Sequence, residues 1–386
     1  MKRTKTKVHM FGDKKISIFA KLNQIVMERG DNVDMKGRSK KRKVLQYVSL
    51  VLILALGIGG YFAYKFYNYI YAPNIVTPDK KEALIYIPTG ASINDVVQML
   101  TEDGYLKDED AFLWVARKKK YADKVKGGCY TIKNNMSNNE LVNLLRLGIQ
   151  TPVKVTFHNI RTIEQLAGHI SKRIEPDSLE LIRLMKDKDV ISGYGFTSET
   201  FPAMFIPNTY EFYWTTTARK FLDRMHDEYN KFWKGKREQK AEEIGMTPVE
   251  VATLASIVDE ETAKNDEKPV VAGLYINRLK RGMKLQADPT IKFAMGDFTV
   301  KRILNKDLKI DSPYNTYLYA GLPPGPIRIA SIQGIDAVLN YKKHNYLYMC
   351  AKEDFSGYHN FASTLKQHNI YAARYRKALR EKRIWR

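Results

Sequence analysis

Cysteine, histidine and acidic residues are all scarce in this chain, and each scarcity removes a class of chemistry. Two cysteines, Cys129 and Cys350, stand far apart among 386 residues; they build no disulfide framework and need not pair. Seven histidines are scattered without a His-Glu-x-x-His pair, and zinc-type cysteine spacing is absent. No metal site and no cofactor are therefore expected. Asp and Glu number 42 against 64 Lys and Arg, a formal net charge of +22. Basic tails bind nucleic acid or acidic membrane surfaces. The excess gathers in the first 43 residues, which end in KGRSKKRK, and in the C-terminal RYRKALREKRIWR. Neither interleaves aromatics with charge at a useful spacing, so nucleic acid is not expected as a partner.

Charge itself is absent from Val44 to Tyr64, VLQYVSLVLILALGIGGYFAY. A bilayer-spanning helix needs about 20 mostly apolar residues, and Tyr47, Tyr61, Phe62 and Tyr64 flank the run as interfacial aromatics do. The charged region is too long, and the apolar run too long, for a cleaved signal peptide. Lys and Arg cluster on the N-terminal side, the side that stays cytoplasmic. The expectation is a single-pass protein with residues beyond about Tyr71 outside. APNIVTPDKK, from Ala72 onward, then reads as a linker.

A pattern recurs in the external part. ALIYIPTGASINDVVQML runs as a strand, turns at Pro88-Thr89-Gly90 and opens a helix at Ser92. CYTIKNNMSNNELVNLL repeats the design, with Ser137 as N-cap and Glu140 at the box position. VKVTFHNIRTIEQLAGHI repeats it again with Thr162 as cap. Such units predict small α+β modules built on related hairpins, similar in pattern to glycan-binding LysM modules. Tyr86, Tyr105, Trp114 and Tyr130 are either core or sugar-stacking faces. Residues 173 to about 245 read as mostly helical, interrupted by FPAMFIPNTYEFYW, a packed floor or a sugar-facing wall.

The segment IVDEETA, from Ile257 to Ala263, puts three acidic residues at the end of an apolar helix. The helix begins with Thr247-Pro248-Val249-Glu250, a capping box with proline at the first helical position. Val251, Leu254, Ala255 and Val258 mark one face. Glu260 projects opposite that face, free to pair with Lys264. Asp259 and Glu261 fall on its two edges, where partial desolvation raises a carboxyl pKa towards that of a general acid. Periodicity does not separate these two.

Five blocks in order add a resemblance. Ala255 to Thr262, Asn277 to Leu279, Leu285 to Thr290, Tyr314 to Tyr317 and Gly321 to Gly325 are similar to the YceG-like family of endolytic murein transglycosylases of the bacterial inner membrane. The family pattern reads Ala-Ser-Ile-Val-Glu-x-Glu-Thr where this chain has Asp259 and Glu261. The first acid is thus shortened by a methylene and the second kept. Because reach to the scissile oxygen must be within hydrogen-bond distance, the resemblance implies Glu261 as the catalytic acid. Ile206 to Tyr210 departs from the family's Phe-Pro-Asp-Thr-Tyr by placing Asn208 at the Asp, which weakens any catalytic role there.

The resemblance implies an α+β fold: a basic cytoplasmic arm (1–43), a transmembrane helix (44–66), a linker (67–82), a LysM-like subdomain (83–150) and a catalytic domain (151–386). It implies cleavage of peptidoglycan glycan strands to 1,6-anhydro ends, with peptidoglycan synthases as partners at the same membrane. Asn277, Gln286, Asp288, Tyr314, Asn315 and Tyr317 are the expected glycan-holding residues, since amides, carboxylates and phenols suit sugar hydroxyls and N-acetyl groups. A water-using muramidase and a non-enzymatic glycan-binding scaffold remain as alternatives.

Overall fold

A computed structural model describes residues 35–77, 81–300 and 302–383. The basic arm up to residue 34 and linker residues 78–80 lie outside the described residues, as do the last three residues of the basic C-terminus. The chain divides into two units between Pro73 and Asn74. The first is a helix, α1 (Met35–Tyr71), which runs without interruption through Gly57, Gly59 and Gly60. Its stretch Lys41–Tyr71 is long and apolar enough to cross a membrane, and none of its most apolar window is buried. A helix apolar on all sides needs either a protein core or lipid around it.

Among the described residues, the second unit mixes helices with three two-stranded antiparallel sheets. It opens with β1 (Glu82–Ile87), α2 (Ile93–Glu102), α3 (Glu109–Lys118), β2 (Gly128–Lys133) and α4 (Asn138–Leu147). Ser92 caps α2 in a box with Asp95, and Ser137 caps α4 in a box with Glu140, so each helix starts where its hydroxyl satisfies an orphan N–H. The sequence led us to expect hairpins; instead β1 pairs with β2 across both intervening helices, from Glu82 opposite Lys133 to Ile87 opposite Gly128. The third strand, β3 (Val153–Thr156), pairs with a partner more than fifty residues on. Strand–turn–capped helix is thus a local motif, while pairing is decided by which apolar faces meet. Ile85 and Ile87 turn inward with Tyr130, which is fully buried and belongs to the core.

After β3 come α5 (Ile163–Ile170), capped by Thr162, α6 (Ser178–Lys186), α7 (Lys188–Gly193), β4 (Thr209–Phe212), α8 (Ala218–Trp233) and α9 (Lys236–Glu243). The aromatic segment before and within β4 is a floor: Phe201, Met204, Phe205, Tyr210 and Phe212 are all buried in one core cluster.

The last part holds α10 (Pro248–Glu261), α11 (Lys268–Lys280), α12 (Asp288–Met295), α13 (Ile332–Leu339), β5 (Tyr348–Ala351), β6 (His359–Ala362) and α14 (Leu365–Glu381). Its centre is α10, where every residue from Val251 to Val258 is buried. Periodicity had marked one face; packing covers them all. Full burial of a Val, Leu or Ile side chain contributes roughly 1.5–3 kcal/mol, so this helix anchors the core. Its two interior hydroxyls are satisfied. Thr253 donates to the Val249 carbonyl at 2.8 Å, and Ser256 donates to the Thr253 carbonyl at 2.7 Å. Ser256 also accepts the Ile327 N–H at 3.0 Å, which ties down the Gly-Leu-Pro-Pro-Gly loop just before it.

That loop gives a test. A Cβ on Gly325 would lie 2.0 Å from the Glu199 carbonyl oxygen, whereas Gly321, at φ +90°, has open space around it. Gly325→Ala is expected to destabilise by roughly 2 kcal/mol or more through backbone overlap, and Gly321→Ala by about 1 kcal/mol through strain alone. Thermal denaturation of the two variants should show the larger fall in Tm for Gly325→Ala; equal melting would mean the close approach does not fix the loop.

Candidate active site

Helix C-termini present unpaired carbonyls and disfavour negative charge, yet α10 ends in Asp259, Glu260 and Glu261. Each carboxylate has a different fate. Asp259 accepts from Lys268 Nζ at 2.7 Å, Ser331 Oγ at 2.8 Å and Ser331 N at 2.7 Å. Lys268 begins α11 and Ser331 caps α13, so this carboxylate joins three helices. A Cβ on Gly334 would fall 2.6 Å from Asp259 Oδ1, so a side chain there would displace this carboxylate.

Glu260 is not the solvated residue that periodicity implied, and its partner is not Lys264. Its side chain is 18% exposed, bound to Arg328 Nη1 at 2.5 Å and Arg161 Nη2 at 3.1 Å. Both arginines come from segments far away in sequence, which cover the face that the helix alone would leave wet.

Glu261 receives no such cation. Its Oε1 accepts from the Tyr275 hydroxyl at 2.7 Å. Burial pushes its carboxyl up to about 7; the Tyr275 hydrogen bond opposes this, the Asp288 charge adds to it, and His359 and Arg278 pull it down. Tyr275 is itself held well above the ordinary phenol value, by burial first and then by Glu261, so it donates its hydrogen bond as a neutral phenol.

Glu261 lines a cavity of about 240 Å³ shared with Tyr275 and Arg278 of α11, Gln286 and Asp288 at the start of α12, Tyr317, and His359 of β6. The Gln286 backbone is held at φ +49° by its N–H to the Thr316 carbonyl at 3.0 Å, while Ala287 N donates to Thr316 Oγ1, also at 3.0 Å. Asp288 Oδ1 accepts from the Tyr317 hydroxyl at 2.6 Å. Arg278 is buried and donates to backbone carbonyls, Leu347 at 2.6 Å and Leu285 at 2.8 Å, so no carboxylate neutralises it directly. His359 is oriented by Glu267, which accepts from its backbone N at 2.7 Å and sits 3.0 Å from its Nδ1. That leaves Nε2 as the ring nitrogen not bound by Glu267.

Of the residues expected from sequence, Glu261, Gln286, Asp288 and Tyr317 meet in this cavity. Three do not line it. Asn277 donates to the carbonyls of His344 at 2.7 Å and Tyr346 at 3.1 Å, fixing the chain before β5. Asn315 is fully buried; it donates to the Leu308 and Ile310 carbonyls and accepts the Tyr317 N–H at 2.9 Å, so it shapes the turn that carries Tyr317. Tyr314 lines a separate cavity of about 450 Å³ with Arg161 and Phe201, its ring centroid 4.5 Å from that of Phe293. Sequence reasoning missed Tyr275, Arg278 and His359. Tyr275 and Arg278 share one face of α11 at i, i+3, and His359 opens the block HNFASTLKQHN; those were the available signals.

The sequence pattern of the YceG-like family matches residues 85–374. The chain belongs to the YceG-like family. Among its YceG-like relatives, the endolytic murein transglycosylase of Bacillus subtilis (strain 168) is 29% identical over 335 residues, covering 81% of this chain and 91% of that protein. The endolytic murein transglycosylase of Streptococcus pneumoniae serotype 2 (strain D39 / NCTC 7466) is 28% identical over 337 residues, 78% of this chain. The match spans 60% of the pneumococcal protein's length. A crystal structure of a YceG-like protein from Listeria monocytogenes superposes with a TM-score of 0.52 at 26% identity, over 76% of this chain and 99% of that one.

Asp259 and Glu261 should behave differently when altered. Asp259→Ala strands the buried Lys268 charge and is expected to cost about 3–5 kcal/mol of stability. Glu261 holds its proton more tightly folded than unfolded, so the folded state loses stability as pH rises from about 4.5 to about 7 and stays lower above. Glu261→Gln should therefore raise Tm at pH 8 and leave it nearly unchanged at pH 4. Denaturation scans at both pH values check this; a fall in Tm at pH 8 would contradict it.

Proposed function

We propose that this chain is a membrane-anchored endolytic murein transglycosylase that cuts the β-1,4 bond between N-acetylmuramic acid and N-acetylglucosamine in nascent glycan strands, limiting their length. One observation carries the reading. Of the three carboxylates that end α10, Glu261 alone forms no salt bridge among the described residues, faces a polar cavity and has its pKa lifted to about 7, the range of a general acid at neutral pH. The relatives named endolytic murein transglycosylase support the substrate class.

In the first step Glu261 gives its proton to the glycosidic oxygen as the bond from that oxygen to C1 of N-acetylmuramic acid breaks, releasing the 4-hydroxyl of N-acetylglucosamine. Positive charge develops at C1, and the sugar's N-acetyl group is placed to share it. The Glu261 carboxylate then takes the proton of the C6 hydroxyl while that oxygen bonds to C1. The product is a 1,6-anhydro sugar; no water is consumed and Glu261 ends protonated as it began. Gln286, Tyr317 and His359 offer hydrogen bonds to sugar hydroxyls and the N-acetyl group. Asp288 introduces a second reading. Its charge acts on Glu261 within the same cavity, and a carboxylate there, activating water, would make the enzyme a muramidase.

The membrane placement is supported by α1 and by the Lys and Arg residues at and before its start; such residues favour the cytoplasmic side, so in this reading the N-terminus is cytoplasmic and the second unit lies outside a bacterial inner membrane. The order β1-α2-α3-β2 supports a LysM-like subdomain over 83–150, followed by the catalytic domain from 151. Cutting near the membrane brings the enzyme beside the peptidoglycan synthases that make its substrate.

The full chain in detergent micelles, incubated with glycan strands, is expected to yield 1,6-anhydro-muramic ends by mass spectrometry. Glu261→Gln should lower the rate by roughly a hundred-fold or more. Because the acid must carry its proton in the free enzyme, kcat/KM should fall with rising pH above about 7. Reducing ends in place of anhydro ends would transfer the assignment to the muramidase.

A further inference from the structure

A cleft between the first and second strand pairs takes no part in the chemistry above. With Ile85 and Ile87 turned into the core, β1 directs Leu84 and Tyr86 outward, where they stay 46% and 41% exposed. Trp214, just past β4, and Lys154 of β3 face them; Lys172 and Arg173, in the turn after α5, close one side, and the whole encloses about 470 Å³. The Tyr86 and Trp214 rings meet edge-on, 5.5 Å between centroids at 60°, and form two walls of an aromatic corner.

Among the described residues, none of the cations in this cleft forms a salt bridge. Glu175 is the acid nearest in sequence to Arg173, but its two carboxylate oxygens accept from Thr89 N and Thr89 Oγ1, each at 2.6 Å. Its backbone N–H donates to the Trp214 carbonyl at 2.7 Å, which fixes the indole beside the Lys172–Arg173 turn. Lys154 stands directly across the strand pair from Glu211 on the same sheet face, close enough to feel its charge, although the two form no salt bridge among the described residues. Among the described residues, no carboxylate lines the cleft. Three cations on a concave wall focus positive potential into it.

We propose that this cleft is a second glycan site, which takes a peptide-bearing muramic acid unit other than the one being cut. Its pyranose ring stacks on Trp214, and the carboxylates of its stem peptide meet Lys172, Arg173 and Lys154. An aromatic corner beside unpaired cations suits a ligand that has both a flat sugar face and acid groups; charge-assisted hydrogen bonds supply the discrimination. This rests on the glycan-cleaving reading of the Glu261 cavity.

The test uses the full-length Glu261→Gln protein in detergent micelles and calorimetric titration. Its ligands are a disaccharide-tetrapeptide, the same molecule with its carboxylates amidated, and the peptide-free disaccharide. Lys172→Glu with Arg173→Glu is expected to weaken binding of the carboxylate form by about ten-fold or more and to leave the peptide-free disaccharide unaffected. Lys172→Gln with Arg173→Gln, a milder change that spares the fold, should act in the same direction. Trp214→Ala should weaken all three ligands. The proposal is overturned if either double variant, shown by its melting curve to be folded, binds the carboxylate form as tightly as the parent. Equal binding of the amidated form would overturn it too, as would tighter binding of a glycerol-phosphate oligomer than of the disaccharide-tetrapeptide. Failure of the cleavage reading registers separately, as an absence of cut ends from the wild-type chain, because binding of an isolated disaccharide requires no cut.

Discussion

The ion pair of Asp259 with Lys268 joins two groups that are each badly placed in their own helix. An anion at the C-terminal end of α10 and a cation at the N-terminal end of α11 both oppose the local helix dipole. With side chains only 4% and 9% exposed, neither can rely on water. Each is tolerable because the other is there, and two Ser331 hydrogen bonds, one to each oxygen, further satisfy Asp259. The result is a fixed angle between α10 and α11 with α13 held against both. Tyr275 and Arg278 reach the Glu261 cavity because α11 leaves from that junction.

The same junction explains how adjacent carboxylates come to have separate roles. Asp259 and Glu260 are matched by cations supplied from elsewhere in the fold. Glu261 shares their backbone environment but faces a phenol, a histidine and an arginine already held by backbone carbonyls. Environment, and no difference in side-chain chemistry between Glu260 and Glu261, sets one carboxyl apart with a raised pKa. A charge left unneutralised in a folded protein is a local weakness, and functional sites are where such weaknesses are retained.

Much of this was legible in the chain itself, because the signals were local. The uncharged run within α1, the caps at Ser92, Ser137, Thr162 and Thr247, and the acids ending α10 depend on residues within a turn of one another. The misread features depend on distant ones. Glu260 looked solvated because Arg161 and Arg328, 99 and 68 residues away, do not register in a helical projection. The single apolar face expected of α10 assumed water on the other side, whereas Ser256 and Thr253 are buried with their hydroxyls turned back to the backbone. Asn277 and Asn315 carry the right chemistry for a sugar but spend it on carbonyls, a choice made by loop geometry that no spacing encodes. Tyr275 and His359 lie outside the five blocks that carried the resemblance; which side chain of a segment faces the cavity is fixed by the helix or strand that carries it.

The hydrogen bond from Tyr275 to Glu261 has a stereochemical consequence. A neutral carboxyl has one oxygen bearing hydrogen and one bearing lone pairs only. Because the buried phenol donates to Oε1 and holds its own proton firmly, Oε1 is kept as the acceptor and the acid's hydrogen is assigned to Oε2. The carboxyl therefore has an orientation as well as a pKa: one lone pair is anchored in the protein, and the single transferable hydrogen sits on the other oxygen. A carboxyl held this way cannot present either oxygen at random, so any acceptor of its hydrogen must approach from the Oε2 side.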